Sequence, residues 1–60
     1  MKTFAQLEIH DFFIIQGDCG MVELMKLNAI EAMCINSCNG TYQKGTRYAI
    51  NWDEQVIKTS

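Results

Sequence analysis

Three cysteines and one histidine are the residues of this chain with the most specific chemical potential. A tetrahedral zinc site could in principle be completed by Cys19, Cys34, Cys38 and His10. A structural metal would also stabilise a chain of 60 residues, whose core must be small. The spacing argues against the site, because structural zinc sites use close Cys pairs, whereas Cys34 and Cys38 would lie about 13 Å apart along a strand. We therefore expect unligated thiols and no cofactor or metal, with a zinc-stabilised mini-domain as an alternative.

The remaining candidates for catalysis are weaker. No family-type signature surrounds any cysteine, so a nucleophilic thiol with His10 as its base has no support from sequence. Carboxylate pairs such as Asp53-Glu54 are expected by chance among seven acids and read as a solvated surface. Gly17-x-x-Gly20 lacks the Lys-Ser/Thr ending of a phosphate loop, which makes a turn the simpler explanation. We expect a protein that is not an enzyme.

Aromatic and basic residues occur together in one stretch of the chain, at Tyr42, Lys44, Arg47, Tyr48 and Trp52. Small β-barrels can use such a face to stack bases or to bind a peptide. The competing interpretation places Tyr48 in the core and makes the charges ordinary solubilising residues. We take Tyr42, Lys44, Arg47 and Trp52 as the candidate partner-binding residues.

Composition and charge limit the classes of protein that remain. The chain is 48% hydrophobic with a formal net charge of −2, which is too apolar for a disordered tail and not basic enough for a general nucleic-acid binder. The longest unbroken apolar run, Phe12–Ile15, is too short to span a bilayer, and no signal peptide is indicated. An odd number of cysteines fits a disulfide framework poorly. These features predict one cytoplasmic domain, 1–60, with no membrane partner.

Turn residues divide the chain into short segments. Proline is absent, and the turn candidates are residues 17–20, Asn39-Gly40, residues 44–46 and residues 51–54. The apolar segments between them are too short for helices and predict strands at Phe12–Ile15, residues 47–50 and residues 56–58.

Residues 21–35 are ambiguous. Leu24, Leu27 and Ile30 recur at helical spacing, and residues 23–33 are rich in helix-forming types, so local propensity favours a helix. The alternative is a hairpin, with a strand at residues 21–27, a turn at residues 28–31 and a return strand at residues 32–36.

A resemblance bears on this choice. The relevant residues, in chain order, are Phe4, Leu7, Asp11, Phe12, Phe13, Gly17, Asp18, Lys26, Ala32, Gly40, Asp53 and Val56. Their order resembles that of small uncharacterised bacterial and phage proteins with a five-stranded SH3-like β-barrel. The resemblance implies a hairpin at residues 21–36 and no activity. His10 departs from the pattern, because the group has Gly there at a turn that favours a positive φ.

The predicted fold is therefore mostly β, a small five-stranded SH3-like barrel or meander, with an α+β fold carrying a helix at residues 23–33 as the alternative. The predicted core residues are Phe4, Leu7, Phe12, Ile14, Val22, Leu24, Ile35, Tyr48, Ile50 and Val56. The predicted function is a non-enzymatic interaction module, phage or bacterial, that binds a protein partner or associates with itself. A small barrel binding single-stranded nucleic acid through Tyr42, Lys44, Arg47 and Trp52 is the alternative, less favoured because the chain has only five basic residues.

Overall fold

The fold is a mostly-β sheet. A computed structural model describes residues 2–15, 22–36 and 42–59. Within these ranges the strands are β1 (Lys2–Thr3), β2 (Phe12–Ile15), β3 (Glu23–Lys26), β4 (Glu31–Asn36), β5 (Arg47–Ala49) and β6 (Gln55–Lys58). They form one antiparallel sheet in the order β1-β6-β2-β3-β4-β5. The only helix of the described part of the chain is a short 3-10 helix, Phe4–Gln6, and no described helix is long and apolar enough to cross a membrane.

The ambiguous segment is a hairpin, so the prediction of strands is confirmed and the alternative of a helix at residues 23–33 is wrong. Strands β3 and β4 pair from Glu23↔Asn36 to Lys26↔Ala32. The turn between them is closed by Asn28, whose Oδ1 accepts hydrogen bonds from the N–H groups of Ile30 and Glu31, each at 2.9 Å. A side chain that competes in this way for backbone donors ends a helix and stabilises a turn, which outweighs the weak helical preference of the residues around it.

The buried core joins the 3-10 helix to one face of the sheet, here called the inner face. Its hydrophobic members are Phe4, Leu7, Phe13, Val22, Leu24, Ala32, Cys34, Ile50 and Val56. The rings of Phe4 and Phe13 meet edge to face with centroids 5.5 Å apart, which fixes the helix over the centre of the sheet.

The prediction of the core residues was wrong in two strands, where the opposite side of the strand faces the core. In β2, Phe13 is fully buried, whereas Phe12 is 36% exposed and Ile14 is only partly buried. All four residues of β2 are apolar, so alternation along the strand gives no information about which face is inside. The pairing decides it, because Phe13 lies opposite Leu24 and Ile15 opposite Val56 on the inner face.

In β4 the small residues lie inside and the large ones outside. Ala32 and Cys34 are buried, whereas Met33 and the predicted core residue Ile35 are partly exposed. Ile35 is more hydrophobic than Ala32 and would be expected in the core on that ground alone. The bulky side chains of Phe4, Phe13 and Leu24, however, already fill the space over the sheet. Small side chains complete the packing there without creating strain.

The loop before β2 adopts the turn that a glycine would favour. His10 has φ of 74°, in the left-handed region that side chains with a Cβ rarely occupy. Its N–H donates to the Lys26 carbonyl at 2.8 Å, and the Asp11 Oδ2 accepts from the Glu8 N–H at 2.9 Å. These bonds hold the loop in its conformation although the residue at the turn is not glycine.

Replacing His10 by Gly should therefore stabilise the protein. We expect His10→Gly to raise the free energy of unfolding by about 0.5–1 kcal/mol. The steric strain that glycine removes at positive φ is larger than the cost of the extra conformational entropy that it gives the unfolded chain. Thermal unfolding followed by circular dichroism measures the change, and His10→Ala is the control because alanine keeps the Cβ. Equal melting temperatures for the two variants would contradict the prediction.

Candidate functional site

The two tyrosines of the aromatic and basic stretch, Tyr42 of the predicted binding set and its neighbour Tyr48, form one packed unit. The Tyr42 and Tyr48 rings meet edge to face with centroids 4.9 Å apart. Both side chains are partly buried against the core, and the Tyr48 hydroxyl accepts a hydrogen bond from the Gln43 N–H at 2.7 Å. The pair therefore helps to anchor the segment before β5 to the inner face of the sheet.

The other three predicted binding residues lie on different parts of the chain around β5. Lys44 is exposed in the turn before the strand, where the Thr46 N–H donates to the Gln43 carbonyl. Arg47 is exposed at the start of β5, opposite Met33. Trp52 lies in the turn after β5 and is 68% exposed. The strand thus separates Trp52 from the two basic residues along the chain.

The thiols and His10 can be placed only in part. Cys19 and Cys38 lie outside the described residues. Cys34 is buried at 1% exposure, and burial raises the pKa of its thiol, an effect partly opposed by a hydrogen bond with the Asn36 backbone. His10 is exposed on the loop before β2. Among residues 2–15, 22–36 and 42–59, no group of three or more metal-ligating side chains comes together.

Trp52 is one of three large apolar side chains that are exposed on the loops within residues 2–15, 22–36 and 42–59. Ile9 is 51% exposed, Ile30 is 66% exposed and Trp52 is 68% exposed. Sequence reasoning did not single out either isoleucine as exposed, although its hairpin alternative placed Ile30 in the turn at residues 28–31. The signal was present, because an aliphatic residue inside a polar turn, as in Glu8-Ile9-His10, has no strand face to pack on.

Backbone hydrogen bonds connect the loops that carry these residues. The His10 N–H donates to the Lys26 carbonyl at the start of the β3–β4 turn, and the Ile50 N–H donates to the Ile30 carbonyl, both at 2.8 Å. The Ala5 N–H donates to the Trp52 carbonyl at 2.9 Å, which joins the last loop to the 3-10 helix. Residues 8–11, 27–31 and 50–54 are therefore connected; these three loops, together with Glu31 as the first residue of β4, are here called the loop surface.

A second apolar area lies on the other face of the sheet, here called the outer face. Strand pairing places Phe12, Met25 and Met33 in one row across three strands, and Ile14 opposite Ile57 beside that row. Directly opposed side chains share a face and lie about 5 Å apart, so these five residues are contiguous. An antiparallel sheet normally alternates apolar inside with polar outside, and this sheet departs from that pattern at its centre.

Lys26 is a charged side chain on the inner face that sequence reasoning used only as part of the resemblance. It is 5% exposed, and its Nζ donates to the carbonyl oxygens of Phe4 at 2.9 Å and Leu7 at 2.7 Å. The ammonium also lies 4.7 Å from the centroid of the Phe4 ring. Two backbone carbonyls, one at each end of the 3-10 helix, and an aromatic face satisfy the buried ammonium, so this lysine has a structural role.

Comparisons with known proteins add no identification: no protein-family model matches the chain, and neither curated proteins nor solved structures gave a significant match.

Removing the Lys26 ammonium should destabilise the fold. We expect Lys26→Met to lower the free energy of unfolding by about 1–3 kcal/mol. Methionine fills the space of the aliphatic part of the lysine, but the buried Leu7 carbonyl loses its hydrogen-bond donor. Urea unfolding followed by Trp52 fluorescence measures the loss. Lys58→Met is the control, since Lys58 is exposed and its Nζ lies 3.7 Å from Asp11 Oδ2, an ion pair worth at most about 1 kcal/mol. A Lys26→Met variant as stable as the Lys58→Met variant would refute the structural role.

Proposed function

We propose that this chain is a non-enzymatic interaction module that binds a protein partner through the loop surface. The observation that carries the proposal is the exposure of Ile9, Ile30 and Trp52, each more than half exposed on loops that are hydrogen-bonded to one another. A 60-residue chain has little apolar material to spare for its surface. Large apolar side chains, tryptophan above all, contribute most of the binding energy in protein interfaces.

The surroundings of Trp52 favour a protein over a nucleic acid. Asp53 and Glu54 follow Trp52 directly, and carboxylates repel the phosphates of a strand whose bases would stack on the indole. Lys44, in the turn before β5, and Arg47, the first residue of β5, are the basic residues of the nucleic-acid alternative, and both precede Trp52 in the chain. The Tyr42 ring is engaged with Tyr48, so stacking a base on it would compete with an existing contact.

Loss of one exposed isoleucine should be enough to weaken partner binding. The partner is first identified by co-purification and is then purified for the measurement. We expect Ile30→Ser to reduce the affinity for this partner by about tenfold or more, which is the effect of losing a contact worth about 1.4 kcal/mol. Isothermal titration calorimetry measures both affinities. Ile57→Ser is the matched control, because Ile57 is also an exposed isoleucine, at 46%, but lies on the outer face. Equal affinities for the two variants would exclude the loop surface as the docking site.

We propose self-association through the outer face as a second candidate function. The row Phe12, Met25 and Met33, with Ile14 and Ile57 beside it, favours this candidate because it lies on the four central strands of the six. In such a dimer the two outer faces meet, and the two-fold axis runs parallel to the strands, between the two sheets and above the boundary of β2 and β3. This axis would place β2 over β3 of the second copy and β6 over β4. Apolar residues would then meet apolar residues in a symmetric, self-complementary contact.

A charge placed in this row should prevent the dimer. We expect the wild-type chain to dimerise at micromolar to millimolar concentrations and Ile57→Lys to remain monomeric, because a lysine there would have to be buried in an apolar contact. Sedimentation equilibrium measures the molecular mass. Gln43→Lys adds the same charge in the exposed turn before β5, away from the outer face, and should still dimerise. A wild-type chain that is monomeric at the highest concentration would eliminate this candidate.

A further inference from the structure

We propose that the partner segment recognised by the loop surface is a basic peptide stretch with apolar or aromatic side chains between its Lys or Arg residues. This inference rests on the proposed function and specifies the chemistry of the partner. It follows from the distribution of charge around Ile9, Ile30 and Trp52, described next.

The loop surface is the acidic part of the chain. Residues 8–11, 27–31 and 50–54 contain no Lys or Arg, and they contain five of the seven acidic residues of the sequence. These five are Glu8, Asp11, Glu31, Asp53 and Glu54. Each exposed apolar residue of the loop surface is therefore next to a carboxylate in the chain: Ile9 to Glu8, Ile30 to Glu31, and Trp52 to Asp53.

Two of these carboxylates are partly engaged within the protein, and others remain for a partner. Asp11 lies 3.7 Å from Lys58, and the Glu31 Oε1 accepts from the Asn28 side chain at 3.0 Å. Glu8 and Asp53 are exposed. The lysine beneath the loops, Lys26, is buried and directed at the carbonyls of Phe4 and Leu7, so its charge is not presented at the surface.

The two features together define the ligand better than either does alone. An apolar surface without charge would accept any apolar partner, whereas an apolar surface with acidic neighbours excludes acidic partners by like-charge repulsion. Arg satisfies both requirements, because its guanidinium can pair with Asp53 and stack on the indole of Trp52. Aliphatic or aromatic side chains of the same segment would cover Ile9 and Ile30.

The test uses a random dodecapeptide library selected on the immobilised wild-type chain, with Ile30→Ser as the subtraction step. We expect the selected peptides to be enriched in Arg or Lys together with aromatic residues. Each peptide is then titrated against the free protein, and Trp52, the only tryptophan of the chain, reports binding by its fluorescence.

Salt and one matched pair of variants test the charge directly. We expect Asp53→Asn to weaken peptide binding by about two- to fivefold, the size of one exposed ion pair, and Glu23→Gln to have no effect. Glu23 is the control because it lies in β3, outside the loop surface, where its Oε2 accepts from Thr59 at 2.7 Å. Binding should also weaken as NaCl is raised from about 50 to 300 mM, since screening shortens the range of the attraction.

The outcomes separate the two proposals. Selected peptides that are neutral or acidic, with no effect of salt or of Asp53→Asn, would overturn the basic partner and leave docking at the loop surface intact. A library that yields no peptide distinguishing the wild type from Ile30→Ser would overturn both. If an oligothymidylate binds more tightly than any selected peptide in the Trp52 fluorescence titration, the peptide proposal is overturned and the ligand is a single-stranded nucleic acid.

Discussion

The hydrogen bonds from the Lys26 ammonium to the carbonyls of Phe4 and Leu7 are the interaction on which the arrangement of this molecule depends. They connect the third strand to the two ends of the 3-10 helix, elements far apart in the sequence. Burying an ammonium costs several kcal/mol, so the fold is stable only where these acceptors are in place. The lysine therefore favours one position of the helix over the sheet, and Phe4 completes that position by packing on Phe13.

The position of the 3-10 helix determines the geometry of the loops around it. The Ala5 N–H bonds to the Trp52 carbonyl and the Phe4 N–H to the Glu54 carbonyl, so the turn before β6 is attached to the helix. The loop before β2 is attached to Lys26 through His10, and the β3–β4 turn is attached to Ile50. Backbone hydrogen bonds hold all three loops in fixed positions. This preorganisation would lower the entropy cost of binding the proposed partner.

The two faces of the sheet and the loop surface divide the apolar residues into three environments. The core lies on the inner face, the outer face has a row of partly exposed residues, and the described loops have three exposed apolar residues, Ile9, Ile30 and Trp52. The acidic residues are concentrated with the third group. Charge among these exposed apolar residues would add selectivity to the binding of the proposed partner. The apolar row of the outer face suits contact with an identical face.

The sequence by itself determined the secondary structure type of most segments, because short β-branched or aromatic runs between Gly, Asn and Asp residues cannot form helices. The stretch of aromatic and basic residues also predicted Trp52 as a binding residue, which stays a prediction. The sequence did not determine which face of β2 is inside, since Phe12–Ile15 is uniformly apolar, nor that Ala32 and Cys34 are preferred to Ile35 in the core. Only the tertiary structure decided these points, together with the burial of Lys26 and the connection of the three loops. The physical reason is that pairing with distant strands decides which side of a strand faces the core. Which residues are buried there depends on the volume that other side chains leave free. Satisfaction of a buried charge likewise depends on carbonyls supplied from elsewhere in the chain.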